Sequence, residues 1–320
     1  MNRSVLVIGP VFALALSSGL APAQQDTPIT GQWMIDNLNV GDQVHLTLHR
    51  SVGKFGNSTN SSAYPVNQLR GLARPQMESQ QGSVVKFEIV RDAGTLVCEG
   101  YFKRGNGAGS FTFSPSPNFA SEMQKLGYER LTLEKQFSMA SHDVSLAYVR
   151  DLRSMNLAPA SADDLISMAI HGVTIEYIKD LNSLGYNTFK PDHLVTMRIH
   201  GVTTDFIREL KKLGYNATST DQLVTMRIHG ATTEFIHQLE SLGYRHPSID
   251  QLVTMRIHGA TSEFIDQIKS LGYGRPSIDQ LVTMRIHGVT PDFIRKLQAR
   301  GMKNLSIDQM VNLRIHGIVD

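Results

Sequence analysis

The chain has one cysteine in 320 residues. Cys98 has no partner, which excludes an internal disulfide, and no paired-cysteine spacing offers a zinc site. Charge of one sign is lacking too. Thirty-one Lys and Arg stand against 29 Asp and Glu, a net +2 without the basic excess that nucleic-acid backbones require. No apolar run reaches the roughly 20 residues of a transmembrane helix. HExxH, GxSxG and phosphate-binding glycine loops are absent, so no catalytic residue, cofactor or metal ligand is assigned from motifs.

What is present begins with Arg3, an apolar run from Val5 to Leu16 and the small residues Ala21-Pro22-Ala23, which read as an export signal (1–23) cleaved after Ala23. A secreted or periplasmic location is expected, and stability must come from packing.

Residues 24–115 have the period of β-structure. Val44, Leu46 and Leu48 alternate with His45, Thr47 and His49, and Val85, Phe87 and Ile89 share one face of a later strand. Asp92-Ala93-Gly94 turns the chain into Thr95 to Phe102, and Gly105 to Gly109 turns it again into Phe111 and Phe113. With Trp33 opening an earlier strand, about five strands are predicted in a small antiparallel sheet or partly closed barrel. Gly53 to Ser62 reads as a loop and Asn67 to Leu72 as a short helix. Asn57 and Asn60 open Asn-x-Ser/Thr glycosylation patterns.

Residues 116–320 repeat. His142, His171, His200, His229, His258, His287 and His316 are spaced 29 residues apart, nearly all inside Ile-His-Gly. A period in this range signals stacked supersecondary units that cannot bury enough surface singly. Phe119 to Tyr128 matches Phe206 to Tyr215 three periods later, so the array starts on a second helix directly after the sheet. Ser219, Ser248, Ser277 and Ser306, each followed three residues later by Gln, cap the first helix of a copy, which stops at Gly201, Gly230, Gly259 or Gly288. Thr203, Thr232, Thr261 and Thr290 cap the second, where Pro291 suits the first helical position. Phe235, Ile236, Leu239 and Leu242 give the second helix its core face, and Leu223, Val224, Met226 and Ile228 give the first its own. The fold class is thus α+β multidomain, a small antiparallel β-domain followed by an α-solenoid of 29-residue two-helix repeats.

The histidine column invites a metal reading, but equivalent atoms about 10 Å apart cannot share one ion. At helix ends the imidazoles suit terminal carbonyls, and the column reads as a structural ladder. Arg198, Arg227, Arg256, Arg285 and Arg314 form a basic column. Two acidic ones accompany it, Asp163, Asp192, Asp221, Asp250, Asp279 and Asp308, and Glu176, Asp205, Glu234, Glu263 and Asp292. Ion pairs between repeats are the expected use of such matched columns. Non-repeating positions are candidates for partner contact: Arg208, Lys211, Lys212, His237, Glu240, Asp266, Lys269, Arg295 and Lys296, all in second-helix segments. In the sheet, His45 and His49 lie about 13 Å apart along a strand, too far for a shared metal, and Cys98 reads as a buried thiol.

The motif Met284-Arg-Ile-His-Gly-Val-Thr-Pro-Asp-Phe-Ile294, closing with a Leu-Gly-Tyr such as Leu271 to Tyr273, resembles repeats of bacterial envelope proteins that carry no established activity. In some relatives similar repeats follow membrane metallopeptidase modules of the antibiotic-sensor type, whose peptidase signature this chain lacks. The expectation is a non-enzymatic binding or scaffolding protein with a protein partner in the cell envelope. One alternative is an envelope hydrolase or ligand-binding enzyme, which would need a convergent polar pocket around residues such as His45, Glu88 and Glu99. The other is a structural component that self-associates.

Overall fold

The computed structural model describes residues 28–40, 42–51, 56–216 and 218–317. The expected export segment and its cleavage point lie outside them.

The chain is α+β, a seven-stranded antiparallel sheet followed by stacked helices. The strands are β1 (Thr30–Val40), β2 (Gln43–Ser51), β3 (Asn57–Pro65), β4 (Leu69–Arg70), β5 (Ser83–Arg91), β6 (Gly94–Lys103) and β7 (Asn106–Pro115), in the order β3-β2-β1-β7-β6-β5-β4. The first and last strands therefore pair at the centre.

Two strands exceed the expected five, and both lie at the edges. β3 is built largely from Asn and Ser, residues whose weak strand preference reads as loop. It nevertheless pairs along its length with β2, from Gln43 opposite Pro65 to Ser51 opposite Asn57. Of the loop predicted at Gly53 to Ser62, residues 57–62 are strand and 53–55 lie outside the described residues. The helix predicted at Asn67 to Leu72 is instead a 3-10 turn at Val66–Gln68 followed by β4, with α1 at Arg74–Glu78. Pro75 explains the displacement, since proline is tolerated in a first helical turn and not further in.

The sheet is curled. Trp33 on β1 and Phe87 on β5 are three strand spacings apart, about 14 Å in a flat sheet, yet their rings meet edge to face at 5.0 Å. Trp33 is fully buried, donates Nε1–H to the Glu99 carbonyl at 3.1 Å and lies over the registered pair Gly100 and Gly109. A Cβ on Gly100 would come within 2.5 Å of the indole, so both positions must lack a side chain.

Helices follow directly: α2 (Pro117–Lys125), α3 (Leu133–Ser141), α4 (Leu146–Ser154), α5 (Ala162–Ile170), α6 (Ile175–Ser183), α7 (Pro191–Ile199), α8 (Thr204–Lys212) and α9 (Thr220–His229). The rest are α10 (Thr233–Ser241), α11 (Ile249–His258), α12 (Ser262–Ile268), α13 (Ile278–Ile286), α14 (Pro291–Ala299) and α15 (Ile307–Ile315). Odd-numbered helices from α3 onward pack each on the next odd one, and even-numbered helices from α2 onward do the same. The caps sit where the sequence places them. Ser219, Ser248, Ser277 and Ser306 form reciprocal capping boxes with Gln222, Gln251, Gln280 and Gln309, and Gly230 and Gly259 end α9 and α11 in left-handed conformation.

The sheet seats the array through α3. Phe137 stacks on Phe111 at 5.8 Å and meets Phe113 edge-on at 5.4 Å. Arg50 lies over the same ring and grips Glu134 with two hydrogen bonds of 2.6 and 2.8 Å, which holds the Glu134 carboxyl below the usual carboxylate range. Buried side chains continue without a break from Ile29 in the sheet to Val311 in α15.

Candidate interaction surface

The odd-numbered helices bury Leu165, Leu194, Leu223, Leu252 and Leu281 together with the Met three residues on. Their opposite face carries the same three residues in copy after copy. The sets are Asp192, Thr196 and Ile199; Asp221, Thr225 and Ile228; Asp250, Thr254 and Ile257; and Asp279, Thr283 and Ile286. Spacings of four and then three residues put each set on one side of its helix. α5 keeps the pattern with Asp163, Ser167 and Ile170, and α15 with Asp308, Asn312 and Ile315.

The isoleucines are the unexpected part. Ile170, Ile199, Ile228, Ile257, Ile286 and Ile315 are all 50–54% exposed. Ile228 therefore does not join the core face of its helix, as its apolarity suggests. It follows Met226 by two residues, about 200° around the helix axis, and points away from the buried side. The result is an apolar column with one large side chain for each odd-numbered helix from α5 to α15.

Among the described residues Arg198, Arg227, Arg256 and Arg285 form none of the expected ion pairs, and the column lies over aromatic rings instead. Arg198 lies over the Tyr177 ring at 5.0 Å, Arg227 over Phe206 at 5.2 Å, Arg256 over Phe235 at 5.1 Å, Arg285 over Phe264 at 5.0 Å and Arg314 over Phe293 at 5.2 Å. Each ring belongs to the repeat before. The Nε–H of Arg198, Arg256 and Arg285 also points to the carbonyl of His171, His229 and His258, at 3.2–3.4 Å. A guanidinium between an aromatic face and a helix C-terminus gains from the ring quadrupole and from the helix dipole, and needs no carboxylate. The ladder thus engages the histidine backbones. Among the column's described histidines His142 alone makes a side-chain hydrogen bond, its Nε2 lying 3.3 Å from Nδ2 of Asn60 on β3, and burial pushes its pKa down. Asn60 also donates to the Ser141 carbonyl, so the second glycosylation pattern is packed against α3.

Tyrosines supply further links between repeats. Tyr148 and Tyr177 donate to the carbonyls of Val173 and Val202, and Tyr186, Tyr215 and Tyr244 donate to those of Thr218, Pro247 and Pro276, all at 2.7–2.8 Å. Burial pushes Tyr177 and Tyr215 up to about 12 and raises Tyr148, Tyr186 and Tyr244.

The candidate contact residues on second-helix segments divide in two. Arg208 bridges Asp180 and Asp205 at 2.8 and 2.7 Å, and Lys211 donates to the Leu184 carbonyl over the Tyr186 ring. Arg295 pairs with Asp292, and His237 lies 3.5 Å from Glu240. Lys212 on α8, Asp266 on α12, Lys269 just past the end of α12 and Lys296 on α14 are exposed. These residues form no shared column of one chemistry.

The sheet residues considered for an enzymatic site do not converge. His45 on β2 bonds Ser61 at 2.8 Å and His49 bonds Thr59 at 2.9 Å, both across to β3. Glu99 on β6 pairs with Lys86 at 2.8 Å, three strands from His45 in the sheet order. Glu88 faces Arg70 of β4 in register. Cys98 is fully buried, its thiol pushed up to about 12 by desolvation. Among the described residues no three His, Cys, Asp or Glu side chains converge to hold a metal, and no helix is long and apolar enough to cross a membrane.

Comparison with known proteins finds no matching family model, no matching curated protein and no matching solved structure.

Proposed function

We propose that this chain is a non-enzymatic binding or scaffolding protein of the cell envelope, that its helices form a solenoid, and that the odd-numbered helices present the surface for a protein partner. The observation that carries this reading is the exposed Asp-Thr-Ile face. Packing explains why core positions recur, but it does not explain six half-exposed isoleucines in register. The even-numbered helices show what drift on a solvated face looks like. Arg208-Glu-Leu-Lys-Lys212 becomes His237-Gln-Leu-Glu-Ser241 and then Asp266-Gln-Ile-Lys-Ser270 within the same chain. Export is supported by the apolar run and small residues at the start of the sequence, and an envelope setting by the resemblance of the repeat motif to those of envelope proteins.

The test compares three forms of the full chain: unaltered, with Ile199, Ile228, Ile257 and Ile286 changed to Ser, and with Lys212, Lys269 and Lys296 changed to Ala. Each is used to retain proteins from an envelope extract, identified by mass spectrometry. A protein retained by the unaltered and lysine forms and lost by the isoleucine form supports the reading. Retention unaffected by the isoleucine changes overturns it. Mass that rises with concentration only when the isoleucines are present would make a second copy of the chain the partner.

A further inference from the structure

The exposed face of the odd-numbered helices carries three chemistries in parallel columns. On one side stand carboxylates. Asp192, Asp221, Asp250, Asp279 and Asp308 are exposed and form no ion pair among the described residues. The first place in that column is filled from within the chain, where Lys135 on α3 reaches Asp163 on α5 at 3.1 Å. The isoleucines stand on the other side, seven residues and so about 10 Å further along each helix. Between the two run Ser167, the four threonines and Asn312, side chains that both donate and accept hydrogen bonds. Thr196 donates its proton to the Asp192 carbonyl at 2.8 Å, which leaves its oxygen able to accept.

Packed helices lie about 8–10 Å apart, and each column repeats at that interval. A polyproline II segment advances about 9 Å in a turn of three residues, sets its side chains in three lines, and has a backbone free of internal hydrogen bonds. A strand returns to the same face after about 7 Å and falls out of step. An α-helix returns after seven residues, about 10.5 Å, but its backbone is already bonded and offers the middle column no donor. Anionic lipid headgroups would be repelled by the carboxylates. We infer, resting on the reading that this face takes the partner, that its occupant is an extended cationic segment in polyproline II conformation. One line of its side chains is apolar and lies on the isoleucines, a second is Lys or Arg and pairs with the aspartates, and the third faces solvent. Backbone N–H groups between them bond the threonine hydroxyls, and one turn of the segment spans one repeat of the array.

The probes are fluorescent peptides with one turn for each of the six exposed isoleucines, added to the full chain and read by anisotropy. Repeated Leu-Pro-Lys has the period, the apolar line and the cations. Leu-Pro-Glu reverses the charge, and Leu-Pro-Ser-Lys lengthens the period by one residue. The first should bind about tenfold tighter than either of the others, a comparison made on the unaltered chain that needs no variant to fold. Its affinity should fall about tenfold with Asp192→Asn, Asp221→Asn, Asp250→Asn and Asp279→Asn together, and further with Ile199→Ser, Ile228→Ser, Ile257→Ser and Ile286→Ser together, helical circular dichroism showing that each form is folded. Equal binding of the three peptides overturns the proposal, as does Leu-Pro-Lys binding that survives both sets of changes. If no peptide binds while an envelope protein is still lost by the isoleucine form, the extended cationic occupant is overturned and the partner surface stands. If capture is unaffected as well, both fall. Isoleucine-dependent binding of phosphatidylglycerol vesicles, or isoleucine-dependent dimerisation, in place of peptide binding would give the face to a lipid surface or a second copy and overturn the proposal too.

Discussion

The guanidinium of Arg256 lies 5.1 Å from the centroid of the Phe235 ring, and its Nε–H points to the carbonyl of His229 at 3.4 Å. One side chain thereby touches both helices of the preceding repeat. Arg256→Gln keeps part of the stem and removes the cation, and should destabilise the chain by about 0.5–2 kcal/mol in urea unfolding. Combined with Phe235→Leu, the loss should be smaller than the sum of the two single changes. Additive losses would mean the ring and the cation do not interact.

Gly109→Ala should be far costlier than its size suggests. The new Cβ would sit 2.0 Å from the Glu99 carbonyl oxygen and 2.7 Å from the Trp33 Nε1. Neither neighbour can yield without breaking the Trp33 hydrogen bond, so a loss of about 3 kcal/mol is expected. Trp33 is the chain's one tryptophan, and its fluorescence reports the disruption directly.

Alkali should unfold the array through its tyrosines. Tyr177 and Tyr215 stay protonated in the folded chain up to about 12, because burial disfavours the phenolate, whereas unfolded tyrosines ionise near their ordinary value of about 10. Their contribution to stability is complete below pH 10 and is lost as pH rises from about 10 to 12. Phenolate absorbance and helical circular dichroism should change together over that range. Phenolate forming well before helix is lost would contradict the buried tyrosine bonds.

Acid acts at the other end of the array. Burial lowers the His142 pKa, so the unfolded chain binds the proton more readily than the folded one. The associated stability is present above the unfolded value of about 6.5 and is lost as pH falls through the lower folded value. His142→Asn should flatten the fall in melting temperature between pH 7 and pH 5.

Helix boundaries were legible because they are written in local chemistry: Ser and Gln of a capping box, or a glycine at positive φ, act within one turn. The sheet was legible where alternation is apolar, as in β2 and β5, and illegible in β3, where Thr59 and Ser61 bond side chains across to β2. The isoleucine column was present in the sequence as a phase. Leu223 and Met226 set the buried side, and Ile228 falls outside it, but apolarity drew it inward on paper. The arginine column needed three dimensions, since nothing within one copy shows that Arg256 reaches over a ring 21 residues earlier. The seat of Phe137 against Phe111 depends on how β7 and α3 meet, a non-local fact with no sequence pattern.

The even step of the isoleucine column has a consequence for how a long partner would be held. Identical anchor points at a constant interval offer no unique starting register, so a partner repeating at the same interval could engage at several offsets of comparable strength. Total grip would then grow with the number of layers occupied, each further contact forming at the high local concentration set by its neighbours. Release would proceed layer by layer. Such a partner could shift along the array in steps of one repeat without ever fully leaving it.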